Sequence, residues 1–152
     1  MFISLSQHIG APATPTVAVG DHVDVGQVIA SASGFVSANV ISSVSGTVKA
    51  FCTLPTANGG EATHIEIEND HLFTEQRLSA LNEPTKEEII ERIKDAGIVG
   101  MGGATFPTHV KLMPKDPIDT LIINGAECEP YITCDYRLFM EEAVRVIDGV
   151  KL

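Results

Sequence analysis

The first half of the chain alternates short apolar runs with turn residues. Val17 and Val19 precede a Gly20-Asp21 turn, and further β-branched pairs follow at short intervals. The segment from His64 to Glu68 alternates polar and apolar residues, as a half-buried strand does. Short β-branched strands separated by glycine or aspartate predict a compact β-sandwich or barrel over residues 1–68. The other predicted strand segments are Val23 to Val25, Val28 to Ala30, Phe35-Val36, Val40-Ile41 and Val44 to Val48, with a loop over 53–63.

After residue 84 the hydrophobic period becomes helical. Thr85 to Glu88 has the form of a capping box, and isoleucines and an alanine recur at helical spacing until Gly97. Residues 69–84 show no clean period, so we predict that they form a linker. Residues 85–152 then form a second, α/β domain. Its predicted elements are a buried strand over Leu121 to Ile123 and a final helix from Thr133 or Asp135 to Gly149.

Composition narrows the class of protein. The chain has 152 residues, is 44% hydrophobic and carries a net charge of −10. This excess of negative charge argues against a nucleic-acid partner and against a polybasic membrane anchor. No apolar run reaches the roughly 20 residues that a spanning helix needs, so we expect no direct membrane insertion. The three cysteines are too few and too scattered for a disulfide framework, which fits a reducing cytoplasm.

The stretch from Gly97 to Lys111 holds four glycines within its first seven residues. Glycine has no side chain to hold a ligand away, so such a backbone can approach an anion closely. Lys111 would supply a point charge beside it. The alternative is a tight glycine-rich connection between a helix and a strand, with no ligand.

A second candidate stretch follows the predicted strand. Asn124, Glu127 and Glu129 would sit at its carboxyl end, where ligands bind in α/β sheets. Alternatively, Asn124 is a turn or capping residue and the two glutamates are solvated loop acids. Cys128 and Cys134 match no common metal site at this spacing, so we interpret both as ordinary buried thiols and expect no metal site in this chain.

Together the two stretches resemble a known pair of motifs. Gly100 to Lys111 matches Gly-x-Gly-Gly-Ala-x-Phe-Pro-Thr-x-x-Lys, and Asn124 to Pro130 matches Asn-x-x-Glu-x-Glu-Pro. Both resemble the flavin-binding part of RnfC, the C subunit of the Rnf electron-transport complex, and more distantly the flavoprotein subunit of respiratory complex I. Residues 1–68 resemble the biotinyl/lipoyl barrel-sandwich hybrid fold. No lysine precedes Lys49, so the module lacks the modified lysine of carrier domains.

The resemblance implies roles for eight residues. The cofactor FMN would contact a glycine loop, a lysine and a carboxylate loop, and NADH would lie beside an aromatic ring and a glutamate. The implied FMN contacts are Gly100, Gly102, Gly103, Lys111, Asn124 and Glu127; the implied NADH contacts are Phe106 and Glu129. Phe106 could instead belong to the core, and we expect His109 to be a surface or hydrogen-bonded histidine. Met101, Thr105 and Ala126 depart from the complex I pattern.

The resemblance also implies a function. The chain would be the N-terminal part of an electron-transfer subunit of an Rnf-type ferredoxin:NAD oxidoreductase, passing electrons between NADH, FMN and iron–sulfur clusters. The 4Fe-4S clusters would lie in a C-terminal part beyond this chain, and other subunits would hold the protein at the cytoplasmic side of the inner membrane. The alternatives are a soluble RnfC-like protein that feeds a reductase such as proline reductase, or a non-catalytic subunit-docking module.

We expect the 152-residue chain made alone to be folded and colourless, with neither FMN nor an iron–sulfur cluster bound. Strands that would close over the flavin ring are missing from the predicted domain, and affinity falls tenfold for about every 1.4 kcal/mol of lost contact. The measurement is a visible spectrum of the purified chain together with an FMN titration. Tight stoichiometric binding would contradict the predicted boundaries of the site.

Overall fold

In a computed structural model, which describes residues 1–56, 59–101 and 103–152, the first 69 residues form seven antiparallel strands. The strands are β1 Phe2–Ser4, β2 Thr14–Pro15, β3 His22–Val23, β4 Val28–Ser31, β5 Val40–Ile41, β6 Gly46–Pro55 and β7 Glu61–Asn69. One sheet has the order β1-β7-β6-β3 and the other the order β2-β4-β5. The expected β module is therefore present, with two separate sheets rather than one closed barrel among the described strands.

Both sheets contribute to one aliphatic core. Side chains such as Val23, Val48 and Ile65 from the first sheet join Ile29 and Val40 from the second, and all are essentially inaccessible to solvent. Burying each such side chain contributes about 1.5–3 kcal/mol. The buried core of the described residues contains no aromatic side chain, so these aliphatic side chains are its main apolar contribution to the stability of the module.

The strand boundaries differ most from the prediction in three places. Residues 17–19 form no strand, and Phe35-Val36 lies in the connection between β4 and β5. The predicted loop over 53–63 is mostly paired, because β6 and β7 form a long hairpin whose register joins Thr53 to Thr63 and Pro55 to Glu61. Cross-strand pairing overrides the turn signal of Pro55, so the two strands extend almost to the hairpin end.

The connection between β4 and β5 packs against the first loop of the chain. His8 is buried, and its Nε2 accepts a hydrogen bond from the amide of Ala38 at 3.1 Å. Ser37 donates to the carbonyl of Ala11 at 2.9 Å. These bonds satisfy buried polar groups and fix the connection in place. Its tip leaves Phe35 74% exposed.

Asp70 fastens the segment after β7 to the β module. Its carboxylate accepts hydrogen bonds from the hydroxyl of the buried Ser45 at 2.6 Å and from the amide of Leu72 at 2.9 Å. His22 Nε2 lies 3.1 Å from the other carboxylate oxygen. The chain then forms a bridge between Val25 and Glu75. The first half of the predicted linker is thus bound to the module.

Helix α1, Lys86–Asp95, begins and ends as the sequence predicts. Thr85 accepts from the amide of Glu88, and the Glu88 carboxylate accepts from the amide of Thr85, which completes the capping box. At the other end Gly97 has a positive φ of 63°, and Ile98 N–H donates to the Ile93 carbonyl at 3.1 Å. These are the bonds of a Schellman motif. A short helix α2, Thr108–Lys111, follows.

The predicted strand over Leu121 to Ile123 is wrong for this chain. These residues have no strand pairing and are 66%, 82% and 46% exposed. A parallel strand forms only beside neighbouring strands, and the described residues supply none here. The predicted final helix is present as two helices, α3 Cys134–Glu141 and α4 Ala143–Lys151, interrupted at Glu142, whose φ is −123°. Thr133 precedes α3 without a side-chain capping bond.

The chain divides into two compact units, residues 1–114 and 115–152. Helices α1 and α2 therefore belong to the same unit as the β module, whereas α3 and α4 form the other. The division into two domains with a linker at residues 69–84, which the sequence predicts, stays a prediction. Among the described residues, no helix combines the length and the apolar character that crossing a bilayer requires.

Replacing Asp70 with Asn should lower the stability of the β module near neutral pH. It should also make that stability depend less on pH in the acid range. Hydrogen bonds from Ser45 and Leu72 lower the Asp70 pKa from 3.8 to about 2. Because the folded pKa is depressed, the stabilisation is complete above 3.8 and is lost as pH falls through about 2. Urea midpoints of the two proteins between these pH values are the measurement. The exposed Asp119→Asn is the control, and equal acid sensitivity in all three proteins would contradict the assignment.

Candidate functional site

The glycine-rich loop is closed at its base by backbone hydrogen bonds. Thr108 N–H donates to the Ile98 carbonyl at 3.1 Å, and Gly100 N–H donates to the Phe106 carbonyl at 2.8 Å. Val99 and Pro107 pair between them as an antiparallel bridge. Residues 100–106 thus form a loop whose two ends meet, between the end of α1 and the start of α2.

The base of the loop is anchored to the β module at Gly97. A Cβ at this position would lie 2.4 Å from the carbonyl oxygen of Asn39, which is far inside contact distance. The Asn39 side chain also donates to the Asp95 carbonyl at 3.4 Å. Glycine is therefore required here for two reasons: its positive φ and the close approach of the neighbouring backbone.

The loop presents unpaired backbone donors. The amides of Met101, Gly103, Ala104 and Thr105 donate to no other group in the described part of the chain. A Cβ added at Gly103 would meet nothing within 4 Å, so there is open space beside this residue. Thr105 has a φ of 45°, an uncommon conformation for a β-branched residue. These are the properties of a backbone that can surround a ligand.

Of the eight residues predicted to contact FMN or NADH, four lie among the described residues of the first unit. Gly100 and Phe106 are half-buried, whereas Gly103 and Lys111 are exposed. Lys111 ends α2 and makes no ion pair within the ranges that the structure describes. Gly102 lies outside the described residues. The lysine and the unpaired amides therefore belong to one continuous stretch, and no carboxylate among the described residues neutralises the charge of Lys111.

His109 lies on the same short helix as Lys111 but is buried. It is 5% exposed, and its Nδ1 has no hydrogen-bond partner among the described residues. Burial, together with the positive charge of Lys94, lowers the pKa of His109, so its imidazole is neutral at physiological pH. The expectation of a surface or hydrogen-bonded histidine was therefore wrong. Nothing in the sequence signalled this burial, because the four residues of α2 are too few to show a helical period.

The carboxylate loop lies in the second unit, with its side chains engaged locally. Asn124 Oδ1 accepts from the amide of Ala126 at 2.9 Å, which is an Asx turn. Glu127 accepts from the amide of Tyr136 at 3.0 Å, in the first turn of α3. A carboxylate there satisfies a free helix donor and complements the helix dipole. Glu129 is exposed. Asn124 and Glu127 thus shape their own segment.

The two cysteines of this unit are exposed, so the interpretation as buried thiols was wrong. Cys134 Sγ lies 3.6 Å from Glu127, and together with Asp135 they place three potential metal-ligand atoms within 4.8 Å of one another. Desolvation of the sulfur and the adjacent Glu127 carboxylate raise the pKa of the Cys134 thiol. Hydrogen bonds from the Cys134 thiol and the Tyr136 amide hold Glu127 in this cluster.

Two family models match the chain. Residues 1–72 match the RnfC barrel sandwich hybrid domain, and residues 93–152 match the Nuo51 FMN-binding domain. The first match confirms the fold predicted for the β module. The second covers the glycine loop, α2 and the whole second unit, and confirms the resemblance to the complex I flavoprotein.

Longer relatives extend these matches. The chain is 46% identical to the C subunit of the proton-translocating ferredoxin:NAD(+) oxidoreductase complex of Clostridium ljungdahlii, with all of this chain and 35% of that protein aligned. It is 44% identical to the C subunit of the Na(+)-translocating complex of Acetobacterium woodii, over all of the chain and 36% of the relative. The C subunit of the ion-translocating oxidoreductase complex of Rhodobacter capsulatus is 47% identical over 97% of the chain and 30% of its own length. The chain therefore spans about a third of the length of these relatives.

Gly97→Ala should destabilise the first unit, whereas Gly103→Ala should not. A Cβ at residue 97 meets the Asn39 carbonyl and forces a left-handed alanine, at a cost of about 2 kcal/mol or more. A Cβ at residue 103 enters open space, and its effect should stay within about 0.5 kcal/mol. Chemical unfolding of the two variants is the measurement. If both lose the same stability, Gly97 is not the anchor.

Proposed function

Since the chain belongs to the RnfC family, we propose that within the longer protein it forms part of the FMN site of an electron-transfer subunit. The observation that carries this proposal is the loop over residues 100–106, whose amides at Met101, Gly103, Ala104 and Thr105 are unpaired among the described residues. Free amides beside an unpaired lysine are suited to a phosphate group. The match of this segment to an FMN-binding domain supports the choice of ligand.

The residues fit an FMN phosphate and ribityl chain. Gly103 leaves room that a side chain would fill, and Lys111 is exposed and uncommitted among the described residues. Gly100 and Gly102 complete the proposed glycine contacts. When bound, FMN supplies reversible one- and two-electron chemistry. This chain's residues would hold its anionic end and fix its orientation.

We extend the proposal to the carboxylate loop. Asn124 and Glu127 would lie beside FMN, and Glu129 would accept hydrogen bonds from the ribose of NADH, with Phe106 against the adenine. Glu129 is exposed and available for that role. Asn124 and Glu127 would keep their local hydrogen bonds and use their remaining acceptor sites, since a carboxylate has about four such sites.

The names of the relatives support a place in a larger assembly. Each is the C subunit of an ion-translocating or ferredoxin:NAD(+) oxidoreductase complex. We propose that this protein likewise passes electrons between NADH, FMN and iron–sulfur clusters, with the clusters outside this chain. Other subunits would hold it at the membrane surface. The exposed apolar residues of α3 and α4, among them Leu138, Val144 and Ile147, are consistent with further protein packing there.

In the full-length protein, Gly103→Val and Lys111→Ala should each lower FMN affinity at least about tenfold, the size of a lost charge-assisted contact. Valine at residue 103 fills the space proposed for the ligand while the fold tolerates it. Flavin absorbance of the purified protein and FMN titration of the apoprotein are the measurements.

Lys115→Ala is the matched control, because Lys115 is also exposed and makes no ion pair with a described residue. It should keep full flavin content. Full flavin content in Gly103→Val and Lys111→Ala as well would remove the loop from the FMN site.

A further inference from the structure

The glycine loop borders a cavity whose other walls come from the β module. The cavity has a volume of about 500 Å³, and all its described lining residues belong to the first unit. Gly103, Ala104 and Thr105 line it on the side of the loop, and residues 6–9 and 60–62 line it on the side of the module. Its volume is in the range of small-molecule sites. A ligand that contacts the loop from within this cavity therefore also meets the β module.

The wall that the β module supplies is held in place from below. His8 is buried; its Nδ1 donates to the carbonyl of Ile9 at 2.9 Å, and its Nε2 accepts from the amide of Ala38 at 3.1 Å. On the other side of this wall, Glu61 begins β7 and is paired with Pro55 across the hairpin. Binding to a wall that is already fixed costs little conformational entropy.

Three side chains of this wall are polar and uncommitted. Ser6, Gln7 and Glu61 line the cavity and are exposed, and their side chains have no hydrogen-bond or ion-pair partner among the described residues. Glu61 is the only aspartate, glutamate, lysine or arginine in the described lining. Its carboxylate accepts hydrogen bonds and repels an anion, whereas a hydroxyl or an amide both donates and accepts. The wall is thus suited to an uncharged group that carries hydroxyls.

The proposed ligand of the loop has such a group. In FMN, a ribityl chain with several hydroxyls joins the flavin ring to the phosphate. Lys111, the residue proposed to meet the phosphate, does not line the cavity. The phosphate would therefore stay on the Lys111 side of the loop, away from Glu61, and the hydroxyl-bearing chain is the part of FMN that fits beside the β module.

We propose that the β module is part of the FMN site: Ser6, Gln7 and Glu61 bind the ribityl hydroxyls. The inference rests on the proposed function and adds to it a second set of contacts, from a module otherwise known here only by its fold. The Glu61 carboxylate accepts hydrogen bonds from ribityl hydroxyls, and the Gln7 amide and the Ser6 hydroxyl donate to or accept from their neighbours.

The test uses the full-length apoprotein with two ligands, FMN and the analogue in which hydrogen atoms replace the ribityl hydroxyls. Glu61→Ala should weaken FMN binding about tenfold, as expected for a charge-assisted hydrogen bond, and Gln7→Ala about fivefold. Both variants should bind the analogue within about twofold of the unmodified protein, because their partner groups are missing from it. Equilibrium dialysis followed by flavin absorbance gives the dissociation constants.

Three further variants serve as controls. Glu66 also lies on β7, but alternation along the strand places it on the opposite face from Glu61, and it does not line the cavity. Gln76 is exposed and does not line the cavity either. Glu66→Ala and Gln76→Ala should bind both ligands like the unmodified protein. Lys111→Ala should weaken both ligands equally, because both carry the phosphate. Circular dichroism checks that each variant is folded.

Unchanged FMN binding in Glu61→Ala and Gln7→Ala, or equal losses for FMN and the analogue, would overturn the ribityl contacts. Tighter FMN binding by Glu61→Ala would also overturn them, because it would place the phosphate beside Glu61. In each of these cases the proposed FMN site stands as long as Lys111→Ala weakens both ligands. If the unmodified protein binds neither ligand, the proposed function fails and this inference fails with it.

Discussion

The contact between Gly97 and the backbone of Asn39 determines how the first unit is built. It places the end of α1 so close to the β module that no side chain fits between them. The Schellman motif at the same glycine directs the chain back toward α2. A single residue therefore ends a helix, joins two structural layers and sets the base of the glycine loop. The conformational freedom of glycine makes all three compatible.

Once the base is fixed, the loop needs few bonds of its own. Two hydrogen bonds and one bridge close residues 98–108, and the amides of Met101, Gly103, Ala104 and Thr105 stay unpaired among the described residues. Unpaired amides in an exposed loop are satisfied by water, which a ligand can replace. A rigid base with free donors above it is the arrangement expected of a binding loop on a stable scaffold. Asp70 strengthens that scaffold by fastening the segment after β7 to Ser45 and His22.

Helix α2 carries two side chains in very different surroundings although it is only four residues long. Lys111 is exposed next to the loop, whereas His109 is buried and has lost part of its usual affinity for protons. The β4–β5 tip, where carrier domains of related fold hold a modified lysine, instead supplies Phe35 to the wall of a cavity that α1 and α2 also border. The barrel-sandwich module therefore contributes to the surroundings of α2.

The sequence by itself determined the features that depend on neighbours along the chain. The capping box at Thr85, the helix stop at Gly97 and the β-branched strands were predictable because their causes lie within a few residues. Two spaced motifs were also sufficient to identify the family. Only the tertiary structure decided the rest: the burial of His109, the bonds from Asp70 to Ser45 and His22, and the use of Glu127 at α3. Leu121 to Ile123 shows the reason most clearly. Its apolar pattern was that of a strand, but a strand exists only when another segment, distant in sequence, pairs with it.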